Sequence, residues 1–258
     1  MNLHHKTILI TGASSGIGHE LAKQLAFRGN RLILLARRDE LLAELIQHIP
    51  QQDQKHLHFQ CDVSDAEQVK DVCGQILTAG IEIDVLILNA GVGGGFDVQH
   101  INLESFRRQV EINFFGAVYF VKYFAPHMIE RQTGLIAVNG SLAGYRGVPN
   151  AAAYSAAKGA LMNFIDSIRI DLRKHHVTCT LISPGFVKTP ITDKNDFVMP
   201  FMISVEKAAR IIIRGLQREK TEIRFPWPMV VAASMGRLLP DRFYAWIMQS
   251  SRKQKRCL

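Results

Sequence analysis

Four cysteines in 258 residues are too few and too scattered to build a framework. Cys61, Cys73, Cys179 and Cys257 form no C-x-x-C pair and share no cluster with histidine. Neither a disulfide-stapled module nor a metal site is therefore expected, and reduced thiols of a cytoplasmic protein are the simple reading. An uncharged apolar run of about 18 residues is also missing. The best candidate, 225–248, is interrupted by Arg237, Asp241 and Arg242, which argues against a membrane span. Met1–Lys6 offers no apolar segment of a signal peptide, and Cys257 is misplaced for prenylation. There are no repeats, linkers or low-complexity stretches, and 47 % apolar with 21 % charged residues is the composition of a folded globule. A chain of this length buries a full core without disulfides or metals.

Charge is in excess but unevenly placed. Lys and Arg number 31 against 23 Asp and Glu, a net +8. Arg252, Lys253, Lys255 and Arg256 sit together near the end of the sequence. A nucleic-acid binder needs a basic stripe on its body, so nucleic acid is not an expected partner. The basic tail reads as a solvated segment, with weak contact to anionic lipid as the second reading.

What is present alternates between two periods. Short continuous apolar runs at Thr7–Ile10, Leu32–Ala36, His56–Phe59, Val85–Leu88, Leu135–Asn139 and Val177–Ile182 read as strands. Between and after them, Ile17–Phe27, Asp39–Ile49 (from an Asp cap), Asp65–Thr78, Leu103–Glu130, Ala151–Lys174 and Val205–Gln217 repeat apolar residues at helical spacing. Continuous apolar strands alternating with amphipathic helices predict a doubly wound α/β fold, a parallel sheet covered on both faces. The expected organisation is one domain, with residues 1–224 as its main body. Residues 225–258 form an apolar extension with a basic tail, belonging to the same domain.

The first turn points to a dinucleotide. Thr11-Gly12-Ala13-Ser14-Ser15-Gly16-Ile17-Gly18 joins the first strand to the first helix. Gly12 permits a tight exit from the strand, Gly16 a close approach of backbone to a pyrophosphate, and Gly18 close packing of helix on sheet. The anion then rests on the helix N-terminus, which makes Gly12, Ser14, Ser15, Gly16, Ile17 and Gly18 candidate contacts. At the end of the second strand an NAD binder usually places an acid for the ribose 2′-hydroxyl. Here stand Ala36, Arg37 and Arg38. A guanidinium fork suits a 2′-phosphate that a carboxylate would repel, so NADP(H) is favoured over NAD(H).

Further on come Asn89-Ala90-Gly91, Asn113, Ser141, Tyr154-Ser155-Ala156-Ala157-Lys158 and Pro184-Gly185. In this order, at strand ends, with TGASSGIG at 11–18, they make the chain resemble the short-chain dehydrogenase/reductase family in its compact, Rossmann-like single-domain form, over about residues 5–220. The resemblance implies that Asn113 holds a water in a proton relay through Lys158, and that Lys158 also bonds the nicotinamide ribose. It implies that Asp62 and Val63 bracket the adenine and that Asn89, Ala90 and Gly91 support the cofactor. Pro184, Gly185, Val187 and Thr189 are implied to lie on its nicotinamide side. One departure is that Ser14-Ser15 contains no basic residue.

The chemistry has its own logic. Tyr154 and Lys158, four apart on a helix, project from one face. An ammonium beside a phenol of pKa about 10 favours phenolate and makes proton exchange feasible near neutral pH. Tyr154 then donates a proton to a carbonyl oxygen as hydride arrives, or accepts it in reverse. Ser141, at the carboxyl edge of the sheet, is the candidate donor to the substrate oxygen. Asn113 also reads as a polar residue that bends its helix.

The segment 190–203 holds Phe197, Val198, Phe201 and Met202, an apolar lid for a hydrophobic substrate or else a packed loop. Tyr145 and Arg146 are candidate pocket residues. Residues 225–248 are expected to cover the sheet edge, join subunits or lie in a bilayer interface. Helices 103–130 and 151–174, with Ala152, Ala156, Ala160 and Phe164, fit the four-helix dimer contact the resemblance implies, in a homodimer or homotetramer.

The function expected is an NADP(H)-dependent oxidoreductase interconverting a small-molecule carbonyl and a secondary alcohol, cytoplasmic or peripheral at a membrane. An epimerase is disfavoured, because little chain follows residue 220 for a sugar-binding domain. A non-catalytic NADP(H) sensor would be expected to have lost Tyr154 or Lys158. A membrane-surface binding protein acting through 225–258 is the remaining alternative.

Overall fold

In a computed structural model of the chain, residues 1–51, 55–194 and 197–253 are described. The strands are β1 (Thr7–Thr11), β2 (Arg31–Ala36), β3 (Leu57–Gln60), β4 (Val85–Leu88), β5 (Gly134–Asn139), β6 (Val177–Pro184) and β7 (Glu222–Phe225). The helices are α1 (Gly16–Ala26), α2 (Asp39–His48), α3 (Ala66–Thr78), α4 (Leu103–Val110), α5 (Gly116–Glu130), α6 (Ala152–Arg173), α7 (Val205–Gln217), α8 (Trp227–Leu238) and α9 (Asp241–Lys253). All strands run parallel, in the order β3-β2-β1-β4-β5-β6-β7. Strand order reverses between β1 and β4, which opens a crevice at the carboxyl ends of those strands, where such sheets bind ligands.

The strands are apolar on both faces because both faces are covered. Leu9, Leu86 and Ile136 point into one core with α3, α5 and α6. Their neighbours Ile8, Ile10, Val85 and Ile87 point into the other with α1 and α7. That is the two-residue alternation of a pleated strand, with each side meeting helices. Asp65, Asn102 and Ser204 cap α3, α4 and α7 with side-chain oxygens on free N–H groups. Burial pushes the thiols of Cys61, Cys73 and Cys179 up to about 12, which leaves them inert. Among the described residues no helix is long and apolar enough to cross a membrane. Lys255, Arg256 and Cys257 lie outside the described residues, as do the side chains of Arg252 and Lys253.

Three expectations need correction. Asp39 is the first residue of α2 and not its cap; Arg38 holds that position, and the Asp39 carboxylate meets His58 Nδ1 at 2.8 Å. The helix expected over 103–130 is interrupted by a π-helical turn, Glu111–Phe115. There Asn113 Nδ2 donates to the Gln109 carbonyl at 2.9 Å, taking the acceptor four residues back that a regular ladder uses. The seventh strand, β7, is also missing from the strands expected, because Glu222 and Arg224 break the continuous apolar run by which the other strands are read.

Candidate active site

The glycine-rich turn has the geometry its composition demands. Gly12 and Gly16 have φ of +67° and +59°, in the left-handed region that favours glycine. A Cβ on Gly12 would meet Ala90 Cα at 2.8 Å, and one on Gly18 would strike the Gly12 carbonyl and the Asn89 amide. Helix α1 is thus drawn tight against the ends of β1 and β4. Its N-cap residue Ser15 makes no side-chain capping bond and its first turn carries no acid, so the positive end of the helix stays open to an anion.

Arg38 leans over this turn. Its Nη2 donates to Ser14 Oγ and to Ser15 Oγ, both at 2.9 Å. Arg37 Nη1 stands 3.8 Å from Asp62 Oδ2. Burial raises the Asp62 pKa, but hydrogen bonds from Ser64 and the charges of Arg37 and Arg108 outweigh it, leaving the carboxyl below its ordinary value. Asp62 Oδ1 accepts from Ser64 N at 3.0 Å and Ser64 Oγ at 2.6 Å. Val63 is buried against Gly116 at the start of α5. Two guanidinium groups, a rigid carboxylate and two hydroxyls therefore border one edge of the turn.

Asn89 ties β4 to that turn. Its backbone N–H donates to Thr11 Oγ1 at 3.0 Å, and its Nδ2 reaches the carbonyls of Thr11 and Gly12 at 3.2 and 3.3 Å. The Ala90 N–H donates to the same Thr11 hydroxyl at 3.1 Å. Asn139, ending β5, donates from Nδ2 to Asn89 Oδ1 at 2.9 Å, and its carbonyl accepts from Lys158 Nζ at 2.7 Å. Asn139 is not among the candidate residues of the sequence, and Thr11 enters there only as the first residue of the glycine-rich turn. Asn139 had a readable signal, a polar residue closing an apolar strand at the edge where ligands bind. Gly91 lies under Asn113 and Lys158: a Cβ there would meet Asn113 Oδ1 at 2.9 Å and Lys158 Nζ at 3.6 Å. Asn113 is 2 % exposed, accepts from Val92 N at 3.1 Å and donates to Val92 O at 2.9 Å. It pins the loop after β4 to the π-helical turn.

Tyr154 and Lys158 rise from the first turns of α6, with Lys158 Nζ 5.8 Å from the Tyr154 ring centre. Lys158 is buried, and burial brings its pKa down to about 8. Burial also raises the Tyr154 phenol above its ordinary value, opposed by a hydrogen bond with the Ser141 side chain. This differs from the expectation of a phenol acidified by the neighbouring ammonium. The reason is distance and desolvation: the amine is turned onto the Asn139 carbonyl and does not touch the phenol oxygen. Ser141 Oγ accepts from Ala143 N at 3.1 Å, which leaves its O–H to donate.

On the other flank, Gly185 N donates to Phe225 O at 2.7 Å, and Val187 O accepts from Thr192 Oγ1 at 2.7 Å. A Cβ on Gly16 would meet Thr189 Cγ2 at 3.2 Å, so Thr189 closes over the turn. Phe186 packs edge-on against Phe197 of the apolar loop, their centres 5.8 Å apart. Tyr145 and Arg146 turn away from the crevice. Tyr145 donates to Glu222 Oε1 at 2.6 Å, and Arg146 donates to the Gly236 and Leu239 carbonyls, each at 2.6 Å. A cavity of about 550 Å³ borders α4, walled by Phe96, Phe106, Gln109 and Asn150; neither Ser141 nor Tyr154 lines it.

The residues fit a dinucleotide. The positive-φ turn, the open end of α1, the paired arginines and the buried Lys158 cation surround one crevice, and Ser141 and Tyr154 stand beside it.

Comparison with known proteins agrees. A family model described as short chain dehydrogenase matches residues 6–197. An uncharacterized oxidoreductase of Myxococcus xanthus is 35 % identical over 94 % of this chain and 96 % of that protein. A fatty acyl-CoA reductase of Acinetobacter baylyi is 34 % identical over 92 % of this chain and 79 % of that protein. Among solved structures, a short-chain dehydrogenase/reductase of Burkholderia phymatum in complex with NAD superposes with a TM-score of 0.82 at 23 % identity, covering 91 % of this chain and 93 % of that one. An alcohol dehydrogenase of Thermococcus sibiricus complexed with 5-hydroxy-NADP gives 0.74 at 27 % identity, covering 85 % and 95 %.

Proposed function

The chain belongs to the short-chain dehydrogenase family of oxidoreductases, and from that premise we propose that it interconverts a hydrophobic carbonyl compound and its secondary alcohol using NADP(H). The observation that carries this reading is the meeting of Ser141, Tyr154 and Lys158 at the carboxyl end of β5, beside the glycine turn.

Gly12, Ser14, Ser15, Gly16, Ile17 and Gly18 hold the diphosphate on the α1 N-terminus, and Arg37 and Arg38 hold the 2′-phosphate. Asp62 and Val63 flank the adenine; Asn89, Ala90 and Gly91 support the turn beneath it. Lys158 binds the nicotinamide ribose, with Pro184, Gly185, Val187 and Thr189 on the ring side. The nicotinamide, when bound, supplies or receives the hydride. Ser141 donates to the substrate oxygen and stabilises charge as it develops there. Tyr154 gives its proton to the same oxygen. A phenol kept protonated by burial is in the state that donates a proton to a carbonyl oxygen. Lys158 supplies positive charge, and Asn113 completes the proton path behind it.

Phe197, Val198, Phe201 and Met202 are exposed on the loop after Thr189 and offer apolar surface to a substrate. The name of the Acinetobacter baylyi relative, a fatty acyl-CoA reductase, supports an apolar chain. Residues 1–224 serve as the catalytic body and 225–258 as its extension. Ala156 and Ala160, exposed one turn apart on α6, support association of two or four copies through α4, α5 and α6. Buried free thiols support a cytoplasmic setting.

The test is a panel of alkyl and aryl aldehydes and ketones, read by loss of reduced-nicotinamide absorbance with NADPH and with NADH. The expected result is turnover of apolar carbonyls with NADPH preferred. Turnover of none, with neither nucleotide retained, contradicts the reading.

A further inference from the structure

Both tryptophans of the chain are on its surface. Trp227 is 77 % exposed and Trp246 is 68 % exposed. They belong to α8 and α9, the helix pair that follows β7. Along α8, Trp227, Val231, Met235 and Leu238 recur at spacings of four, four and three, so they form one stripe. Leu238 is 85 % exposed, and Phe243 on α9 is 62 % exposed. Trp227 heads the apolar stripe of α8, and Phe243 and Trp246 are exposed in turn on α9, more large apolar side chains than an ordinary surface displays.

The pair is not loosely attached. Pro226 and Met229 pack on Gly185, so α8 grips the body by its other side. Arg146 binds the carbonyls ending α8, meets Asp241 Oδ1 at 2.5 Å and stacks 4.0 Å from the Tyr244 ring. The Tyr244 hydroxyl donates to Gly147 O at 2.8 Å. The exposed stripe is therefore a preformed feature.

Charge identifies what it meets. Residues 225–258 contain six cations, Arg237, Arg242, Arg252, Lys253, Lys255 and Arg256, against one acid, Asp241. That acid is already engaged by Arg146. Tryptophan with aliphatic residues, on helices that also carry Arg237 and Arg242, is the pattern of a surface lying in a lipid headgroup layer. A second copy on the same stripe would bring Arg237 and Arg242 of both copies together, because a two-fold contact pairs a patch with itself.

We propose that the α8–α9 face docks the enzyme on an anionic lipid bilayer, Trp227 and Trp246 entering the headgroup region and Arg237 and Arg242 meeting lipid phosphates. Gly185 and Phe186 connect this face to the apolar loop, since α8 packs on the first and Phe197 on the second. Docking therefore brings that loop towards the lipid.

The experiment is flotation of the full chain with vesicles of phosphatidylcholine, with and without one third phosphatidylglycerol, together with tryptophan emission. Binding to the anionic vesicles is expected to be at least ~tenfold tighter than to the neutral ones, as each cation near such a surface contributes a several-fold gain. A blue shift of emission accompanies it. Arg237→Gln with Arg242→Gln is expected to weaken binding ~tenfold, and Trp227→Ser with Trp246→Ser to abolish it while NADPH still binds. The proposal is overturned if the wild-type chain ignores anionic vesicles, or if the doubly Trp-substituted protein floats unchanged. It is also overturned if the stripe instead mediates a dimer that this substitution dissolves, with no vesicle binding.

Discussion

Lys158 Nζ donates to the main-chain carbonyl of Asn139 at 2.7 Å, and the side chain of Asn139 in turn donates to Asn89 Oδ1 at 2.9 Å. Asn89 holds the carbonyls of Thr11 and Gly12. The cation on α6 is thereby registered against the turn on the far side of the crevice through two asparagines at the ends of β4 and β5. Position is fixed by strand ends, which are rigid, and not by loops.

Lys158 is held there at a cost. Burial lowers its pKa to about 8, against an ordinary 10.5. Below about pH 8 folded and unfolded chains both carry the proton, and the folded state bears the desolvation. Between about 8 and 10.5 only the unfolded chain keeps it, so stability rises with pH across that window. Lys158→Met is expected to abolish turnover yet raise stability at pH 7 by up to about 3 kcal/mol, less the lost hydrogen bond. Urea unfolding at pH 7 and 9.5 measures it; a destabilised variant at pH 7 refutes the burial cost.

The arginines should divide the two cofactors. Arg37→Ala or Arg38→Ala is expected to weaken NADPH by roughly tenfold or more, one lost charge-assisted contact, and NADH little. Titration of each nucleotide by fluorescence decides it, and equal weakening removes the 2′-phosphate role. Arg38→Ala carries an added effect, since it also frees Ser14 and Ser15.

Gly18→Ala tests the close approach. Its new methyl strikes the Gly12 carbonyl and the Asn89 amide. Overpacking of this kind costs about 1–3 kcal/mol, and displacement of α1 is expected to weaken both nucleotides together. Thermal unfolding with and without cofactor reads both effects. Unchanged nucleotide affinity contradicts the assignment of this turn.

Proton transfer leaves a signature in pH. Burial raises the Tyr154 pKa, so the reduction rate should hold steady through neutral pH and fall only in alkali. Alcohol oxidation needs the phenolate and should rise with pH, about tenfold per unit below the pKa. An oxidation rate independent of pH between 7 and 9 contradicts Tyr154 as the base.

The parts of the site that could be read from sequence are those where chemistry is local. Gly12, Gly16 and Gly18 report a turn because backbone conformation and close approach act at those positions. Arg37 and Arg38 are legible as a basic pair beside that turn because they stand at a strand end, and Arg38 meets Ser14 and Ser15 there. What escaped reading depends on the third dimension. Asn113 reads as a bend in the helix over 103–130, but the π-helical form of that bend rests on its side chain reaching the Gln109 carbonyl, a contact invisible in apolar periodicity. Tyr145 and Arg146 follow Ser141 by few residues, yet β7 and α8 draw them off. The Lys158 amine, four residues from Tyr154, bonds a strand-end carbonyl and leaves the phenol to burial and Ser141.

Tyr154→Phe bears most directly on the account, because it removes one oxygen and leaves the ring, Ser141 and Lys158 in place. NADPH affinity should stay within about twofold, while kcat for carbonyl reduction should fall by about 10²–10⁴. A variant that binds NADPH normally and still reduces the carbonyl at the wild-type rate would contradict the assignment of Tyr154 as proton donor.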